Sequence, residues 1–543
     1  MLTDLGRKAL RQAMRQGGMV RTMAHAGVIR PYHPLHLGGA GWALKGWGLG
    51  FAGGVGAVAR LRPDDVFVID ELGQLTWREV DDRSTRLANA LAGRGIRAGS
   101  SVALLIRNHR GFVEVSTALA KLGADILYLN TAFAAPQIGE VCGRESTTAI
   151  VYDEEFGELV DAAGIEVPRI VAWHDGDSGS ASYPLVDDLI ASGSLQRLRP
   201  PGRASRPVIL TSGTTGSPKG APRDETGIDG AVALLTMPFQ SGGVTHVAAP
   251  MFHTWGWAHL NLAMLLGSTV VLRRRFDPAE ALAVVERHRC DGLVVIPVML
   301  QRMLQLPEQE HSGDYSSLRV VAASGSALPG DLASEWMDSF GDNLYNTYGS
   351  TEVAWATIAT PQDMRAAPGT AGRPPPNTVV RLYDESGDLV PRGRTGRIFV
   401  GNSMLFGGYT GGGHKQRIDG LMASGDVGRI DEAGRLFVEG RDDEMIVSGG
   451  ENVFPQEVED CLARHESVTE AAAVGVDDPE FGKRLRAFVV LEDGAEADEE
   501  QLKDWVKQNL ARFKVPREIV FLDELPRNAT GKVLKRELAN RDG

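Results

Sequence analysis

From residue 62 onward the chain alternates short apolar runs with turn residues and amphipathic stretches. The runs "SVALLIRN", "ADILYLN", "TAIVYD", "RIVAW", "RPVILTS", "THVAAP", "STVVLRR", "DGLVVIP" and "LRVVAAS" read as buried strands, because they are apolar on consecutive positions rather than alternate ones. Strands of that kind, separated by helical patterns, predict an α/β fold with substantial parallel sheet. Residues 176–207 are rich in Ser, Gly and Pro and read as loop over much of their length. From residue 379 to 402 the strands shorten and the turns tighten, which predicts a small β-rich subdomain. A final unit has strands at "AAAVGV" and "RAFVVL" and an amphipathic helix in "DEEQLKDWVKQNLARF". Leu502, Trp505, Val506, Leu510 and Phe513 line one side of that helix, with Asn509 as the exception.

The first sixty residues follow a different pattern. In "MLTDLGRKALRQAMRQ", Leu2, Leu5, Ala9 and Ala13 share one helical face and Arg7, Lys8, Arg11 and Arg15 the opposite one, until Gly17 and Gly18 end the pattern. Residues 37–61 are apolar, Gly-rich and Trp-bearing. Their length would span a bilayer, but the glycines and the central Lys45 argue against a spanning helix, and the stretch begins too late for a signal peptide. The region is expected to cap the main domain, with a peripheral foot on anionic lipid as the alternative.

The length of 543 residues exceeds what one core supports, since cores stop growing at roughly 250–300 residues. The expected layout is an extension over residues 1–61, a large domain over 62–442 and a small α+β domain over 443–543. A formal charge of −13 argues against a nucleic-acid partner, whose binding would rest on basic residues. Cys142, Cys290 and Cys461 are too scattered for a disulfide framework or a zinc site, which fits a cytoplasmic setting, with or without contact at the inner face of the membrane.

The densest chemistry lies in "TSGTTGSPKG", residues 211–220, directly after the apolar run 208–210. The glycines let backbone N–H groups converge on an anion, Ser212, Thr214 and Thr215 add hydroxyl donors, and Lys219 adds a cation. These are the requirements of a polyphosphate cradle. The Walker pattern is excluded, because Ser217 and Pro218 stand between the second glycine and the lysine.

The decapeptide resembles the phosphate loop of the adenylate-forming superfamily, which holds acyl-CoA synthetases, luciferases of the firefly type and the adenylation domains of peptide synthetases. "YGSTE" (348–352), "SGDVGRID" (424–431), "GRDDEMIVSGGENVFPQEVE" (440–459) and "PRNATGKVLKREL" (526–538) are similar to further motifs of that family and fall in its order. The resemblance covers roughly residues 62–540 and implies a large N-terminal α/β domain followed by a small mobile C-terminal lid.

It also implies a division of labour. Thr211, Ser212, Gly213, Thr214, Thr215 and Lys219 would hold the ATP phosphates. Glu352 would ligate Mg²⁺, with Thr351 donating to the α-phosphate. Tyr348 and Gly349 would face adenine on one side, and Ser326 and Ala327 would line the other. Asp426 would accept from both ribose hydroxyls beside Arg441, and Lys532 would bring its ammonium to the α-phosphate. Asp443 matches the hinge position, with an ordinary linker residue as the alternative, and Gly449 and Gly450 border a tunnel for the thiol arm of CoA. His253 and Trp257 match the acyl pocket, where an indole gate suits an alkyl tail; simple core packing is the alternative for Trp257.

The expected function is therefore an ATP- and Mg²⁺-dependent acyl-CoA ligase working through an acyl-adenylate, with medium- or long-chain fatty acids as the first expectation for the substrate. An aryl-acid CoA ligase, a fatty acyl-AMP ligase serving a carrier protein and a non-catalytic nucleotide- or lipid-binding relative are the alternatives. The sequence sets no oligomeric state.

Overall fold

The computed structural model describes residues 20–176, 182–211, 219–222, 234, 236–409, 414–442, 446–448, 451–453, 455–478, 482–492, 494–510, 514–528 and 531–541. The chain divides into two compact units. The first comprises residues 1–295, 299–323 and 402–414, and the second residues 296–298, 324–401 and 415–543.

The unalternating apolar runs form the sheets of the first unit. One sheet has the order Arg169–Trp173, Thr147–Asp153, Ser101–Leu105, Asp125–Tyr128, Pro207–Thr211 and Lys219–Pro222, parallel except for its last pair. Val102, Ala103, Leu104 and Leu105 are all buried, as a strand covered on both faces requires. The helix Arg110–Leu122 that crosses between two of these strands starts at His109, whose Nδ1 accepts from the Gly111 N–H at 3.1 Å while Nε2–H donates to Asp153 at 2.8 Å. It stops at Gly123, in the left-handed region with φ +70°. The other sheet of this unit runs Val320–Ala323, Gly292–Val295, Val244–Val247, Thr269–Val271, Val66–Asp70 and Gly73–Thr76.

The apolar stretch near the N-terminus folds as two helices, Pro34–Trp47 and Phe51–Leu61, joined at Gly48. The second is buried along most of its length, which is the cap that the sequence favours. Its glycines permit close approach: a Cβ on Gly53 would lie 1.8 Å from the Gly48 carbonyl oxygen. Lys45 stays exposed. Among the described residues no helix is long and apolar enough to cross a membrane. The basic pattern over residues 2–16 lies outside the described residues.

The second unit carries the β-rich part. An antiparallel sheet joins Val379–Tyr383, Gly396–Gly401, Leu421–Ile430, Arg417–Ile418 and Leu436–Arg441. Leu344–Tyr348 pairs antiparallel with Thr357–Ala359. Toward the C-terminus, Val468–Asp478 and Gly482–Leu491 form a long hairpin, and Glu518–Phe521 pairs parallel with its second strand. The helix Glu499–Asn509 presses Leu502 and Val506 into the same core as Val458, Leu462 and Ile519. Asn509, the exception in its stripe, turns out of that core and donates to the Trp505 carbonyl at 2.8 Å. The α/β class, the β-rich subdomain and the small α+β C-terminal fold follow the expected plan.

Three features depart from the sequence reading. The hairpin Val66–Asp70 with Gly73–Thr76 carries too few apolar positions to stand out, and its turn depends on Gly73 at φ +101°. The strand Lys219–Pro222 is short and contains proline, which it tolerates because it ends its sheet. Within residues 176–207, Val186–Ser192 forms a helix because Val186, Leu189 and Ile190 all find a core to bury in.

Candidate active site

Strand pairing places the first group of site residues. Asp426 sits in Leu421–Ile430 directly opposite Arg441 in Leu436–Arg441. Arg441 Nη1–H donates to Asp426 Oδ1 at 3.0 Å, and the Tyr348 hydroxyl, at the end of its own strand, donates to Asp426 Oδ2 at 2.5 Å. The same hydroxyl lies 3.1 Å from Ser424 Oγ, which accepts from the Asp426 backbone N–H at 3.1 Å. Burial and then the Asp426 charge hold the Tyr348 phenol well above its ordinary value, so it stays protonated and donating. Each carboxylate oxygen accepts one of these bonds and keeps a lone pair in reserve, the pattern a vicinal diol needs. Ser424 belongs to this network; the sequence reading includes it in "SGDVGRID" without giving it a role.

Lys415 is a second omission. Gly425 adopts φ +92°, and a Cβ there would lie 3.1 Å from Lys415 Nζ and 3.3 Å from Arg441 Nη2. Ten residues separate Lys415 from Gly425, and the antiparallel pairing of Arg417–Ile418 with Leu421–Ile430 carries the chain back. No sequence motif marks that lysine.

The turn after Tyr348 is tightly built. A Cβ on Gly349 would stand 2.0 Å from the Ala354 carbonyl oxygen, and Ala354 itself is held at φ +62°. Ser350 Oγ accepts from the N–H groups of Glu352 at 3.2 Å and Val353 at 3.3 Å, which fixes the backbone that carries Glu352. Thr351 and Glu352 are half-buried. Among the described residues no group of three or more His, Cys, Asp or Glu is arranged to hold a metal. A lone carboxylate fits Mg²⁺ bound to ATP, which keeps waters and phosphate oxygens as most of its ligands.

Ser326 and Ala327 are exposed in the loop after Val320–Ala323. The loop is tied to the segment before Tyr348 by Ser324 Oγ–H, which donates to the Thr347 carbonyl at 2.7 Å. Lys532 is presented by a turn that closes on itself. The Asn528 N–H donates to the Lys532 carbonyl and the Lys532 N–H to Asn528 Oδ1, each at 2.9 Å. Arg527 donates to the Gly531 carbonyl at 2.6 Å and pairs with Glu470 at 2.9 Å. Gly531, at φ +76°, lies so near Val298 that a Cβ would come within 2.7 Å of its Cγ1. The Lys532 side chain is exposed beyond this turn.

In the first unit the described ends of the decapeptide, Thr211 and Lys219–Gly220, lie in paired strands. Thr211 and Lys219 are direct partners in antiparallel strands, so Lys219 opens the return strand of a hairpin. Ser212, Gly213, Thr214 and Thr215 fall outside the described residues, as do Asp443, Gly449 and Gly450. Asp442, next to the expected hinge residue, is anchored: its N–H donates to the Gly425 carbonyl at 3.0 Å and its carboxylate accepts from Arg397 Nε–H at 2.9 Å.

The helix Thr254–Leu266 carries the remaining candidates, with His253 as its N-terminal cap residue. Trp257 is buried, with its ring centre 6.5 Å from that of Phe51. The Trp255 indole donates to the Val295 carbonyl at 3.1 Å. His259 Nδ1 binds the Trp255 carbonyl at 3.0 Å, so Nδ1 carries the proton and Nε2 is a bare acceptor. The Nε2 atoms of His253 and His259 are buried with no hydrogen-bond partner among the described residues. Burial pushes both rings down to about 4, so they are neutral near pH 7.

The profile of the AMP-binding enzyme family matches residues 56–410, and that of the AMP-binding enzyme C-terminal domain matches residues 457–532. The chain belongs to the AMP-binding enzyme family. This AMP-binding enzyme is 33% identical over 492 residues to a feruloyl-CoA synthase of Amycolatopsis sp, covering 89% of this chain and 97% of that one. It is 32% identical over 475 residues to the indoleacetate–CoA ligase of Aromatoleum aromaticum, covering 86% and 92%. The fold superposes on the o-succinylbenzoate CoA synthetase of Bacillus subtilis, solved with its acyl-adenylate intermediate, with a TM-score of 0.78 at 26% identity over 90% of this AMP-binding enzyme and 98% of that chain.

Proposed function

We propose that this AMP-binding enzyme is an ATP-dependent acid–CoA ligase whose acids are aromatic and bear a polar ring substituent. The carboxylate attacks the α-phosphorus of ATP, the bond to the bridging oxygen breaks and pyrophosphate leaves. The CoA thiol then attacks the carbonyl of the acyl-adenylate, its proton passes to solvent and AMP departs. The first step crowds an anion against a polyanion, so its barrier falls when cations and oriented donors surround the phosphates.

Asp426 and Arg441 hold the ribose, and Tyr348 faces adenine while its hydroxyl is committed to Asp426. Lys532 delivers a positive charge to the α-phosphate from its closed turn, and Thr351 donates beside it. Lys219, with Thr211 to Thr215, takes the β- and γ-phosphates. Glu352 would hold Mg²⁺, which would supply charge neutralisation on the phosphates. Residues 443–543 act as the mobile lid, turning at Asp443, and Gly449 and Gly450 leave the thiol arm its path.

The observation that carries the choice of acid is the pair of buried, unpartnered ring nitrogens on His253 and His259. An alkyl chain packed there would leave both orphaned, at a cost of roughly 1–3 kcal/mol each, whereas a ring hydroxyl or ring N–H gives a neutral imidazole nitrogen its donor. Trp257 is engaged with Phe51, which weakens the case for an indole gate over an alkyl slot. The aromatic acids named for the relatives support the same choice.

The test is thioester formation from ATP, Mg²⁺ and free CoA with hydroxylated cinnamic acids, indole acids and straight-chain fatty acids of graded length, read by mass. The expected order puts the aromatic acids at least about tenfold ahead in kcat/KM, matching the loss of one hydrogen bond at ~1.4 kcal/mol. A straight-chain acid as the best substrate overturns the choice of acid. Pyrophosphate release without any CoA thioester overturns CoA as the acceptor.

A further inference from the structure

Six of the twelve large apolar side chains that stand exposed among the described residues fall between positions 20 and 49: Val20, Ile29, Leu35, Leu37, Trp42 and Leu49. The helix Pro34–Trp47 explains the concentration. It buries only Ala40 and Ala43, while Leu35, Trp42 and Lys45 follow one another at helical spacing on its outward side. Leu35 is the most exposed of the set, at 78%.

Trp42 is held in a particular setting. The Arg197 guanidinium lies 4.1 Å from its ring centre and that of Arg60 5.7 Å, so an indole at the surface is flanked by two cations. The sequence around it is one-sided in charge. The first 63 residues hold Arg7, Lys8, Arg11, Arg15, Arg21, Arg30, Lys45, Arg60 and Arg62 against Asp4 alone, in a chain whose overall charge is −13. Exposed apolar side chains beside Arg197, Lys45 and Arg60, of which only Arg60 is paired with a carboxylate among the described residues, that of Asp81 at 3.7 Å, complement a surface that is apolar within and anionic at its rim.

We propose that the outward face of the helix Pro34–Trp47 docks on an anionic phospholipid bilayer. The helix lies in the plane of the interface, since its 14 residues are too few to cross a hydrocarbon core that needs about 20. Leu35 and Trp42 enter the boundary between headgroups and acyl chains, Trp42 at the depth where indoles settle, and Arg197, Arg60 and Lys45 meet the headgroup phosphates. The helix Phe51–Leu61, buried against the main domain, ties the docked face to the catalytic body.

The experiment is sedimentation of the full chain with vesicles of phosphatidylcholine alone and of phosphatidylcholine mixed with phosphatidylglycerol. Binding is expected to the mixed vesicles and to weaken with added salt. In Leu35→Glu/Trp42→Glu it should weaken about tenfold or more, as charges placed in the apolar face and like-signed with the lipid predict. Both positions are exposed, so the Tm should hold, and Leu35→Glu alone serves if it does not. Equal binding to neutral and anionic vesicles, or binding unchanged in the variants, overturns the proposal. So does light scattering that shows a dimer in the parent chain and a monomer in the variant without any vesicle binding, since the face then joins two copies.

Discussion

Asp426 and Arg441 face each other across adjacent antiparallel strands and join at 3.0 Å, so the proposed ribose acceptor and the cation beside it are set by sheet register and not by a loop. The Tyr348 hydroxyl completes the arrangement from a third strand. Asp426→Asn keeps the shape but removes the charge and one acceptor. Because hydrogen bonds to a charged group contribute ~1.5–3 kcal/mol, KM for ATP should rise by roughly tenfold to a hundredfold. Steady-state pyrophosphate release against ATP concentration measures it, and an unchanged KM would remove Asp426 from the ribose site.

Lys532 stands clear of its own turn, so Lys532→Ala should leave folding and nucleotide binding intact. Adenylation should slow by roughly 10²–10³-fold, the usual loss when one donor to developing negative charge is removed. Titration calorimetry with ATP and single-turnover pyrophosphate release separate the two effects. Thioester formation from acyl-adenylate supplied ready-made should proceed near the parent rate.

Gly531 shapes the backbone that leads into that lysine. Gly531→Ala places a methyl group 2.7 Å from Val298 Cγ1 at a backbone φ of +76°. The left-handed conformation alone costs ~1–2 kcal/mol for a residue with a side chain. The expected result is a lower kcat for adenylation with little change in KM for ATP. Adding Val298→Ala should restore part of the loss, since it relieves the clash but not the backbone cost. Equal rates in the single and double variants would show that the contact is irrelevant to the lysine.

Burial pushes His246, His253 and His259 down to about 4 from an ordinary value of 6.5. The unfolded chain therefore binds protons on these rings before the folded one does. Their neutral burial costs nothing above about pH 6.5, and stability then falls as pH drops from there toward 4, by up to ~1.4 kcal/mol per ring per pH unit. Denaturant midpoints at pH 7 and pH 5 should show the loss, and His246→Gln should shrink it by about one third. A midpoint independent of pH across that window would contradict the burial of all three rings in neutral form.

Much of the scaffold was readable because parallel strands buried on both faces write themselves as continuous apolar runs. Those around Leu104, Ile150 and Val294 each became an interior strand. Strands that earn their place through pairing rather than burial left no such trace, and Gly73–Thr76 and Lys219–Pro222 belong to that class. Among site residues, Asp426, Arg441 and Tyr348 were legible from contiguous motifs. Ser424 and Lys415 reach the same place only through hairpin register and a glycine with positive φ, which depend on partners distant in sequence.

Gly349 has a consequence for anyone reshaping this protein. With the Ala354 oxygen 2.0 Å from where a Cβ would sit, any other amino acid there must tear open the bend that holds Tyr348 and Glu352 on their respective sides. Libraries that vary the helix around His253 and His259 can roam widely among new acids, provided this one position is left out of the randomisation.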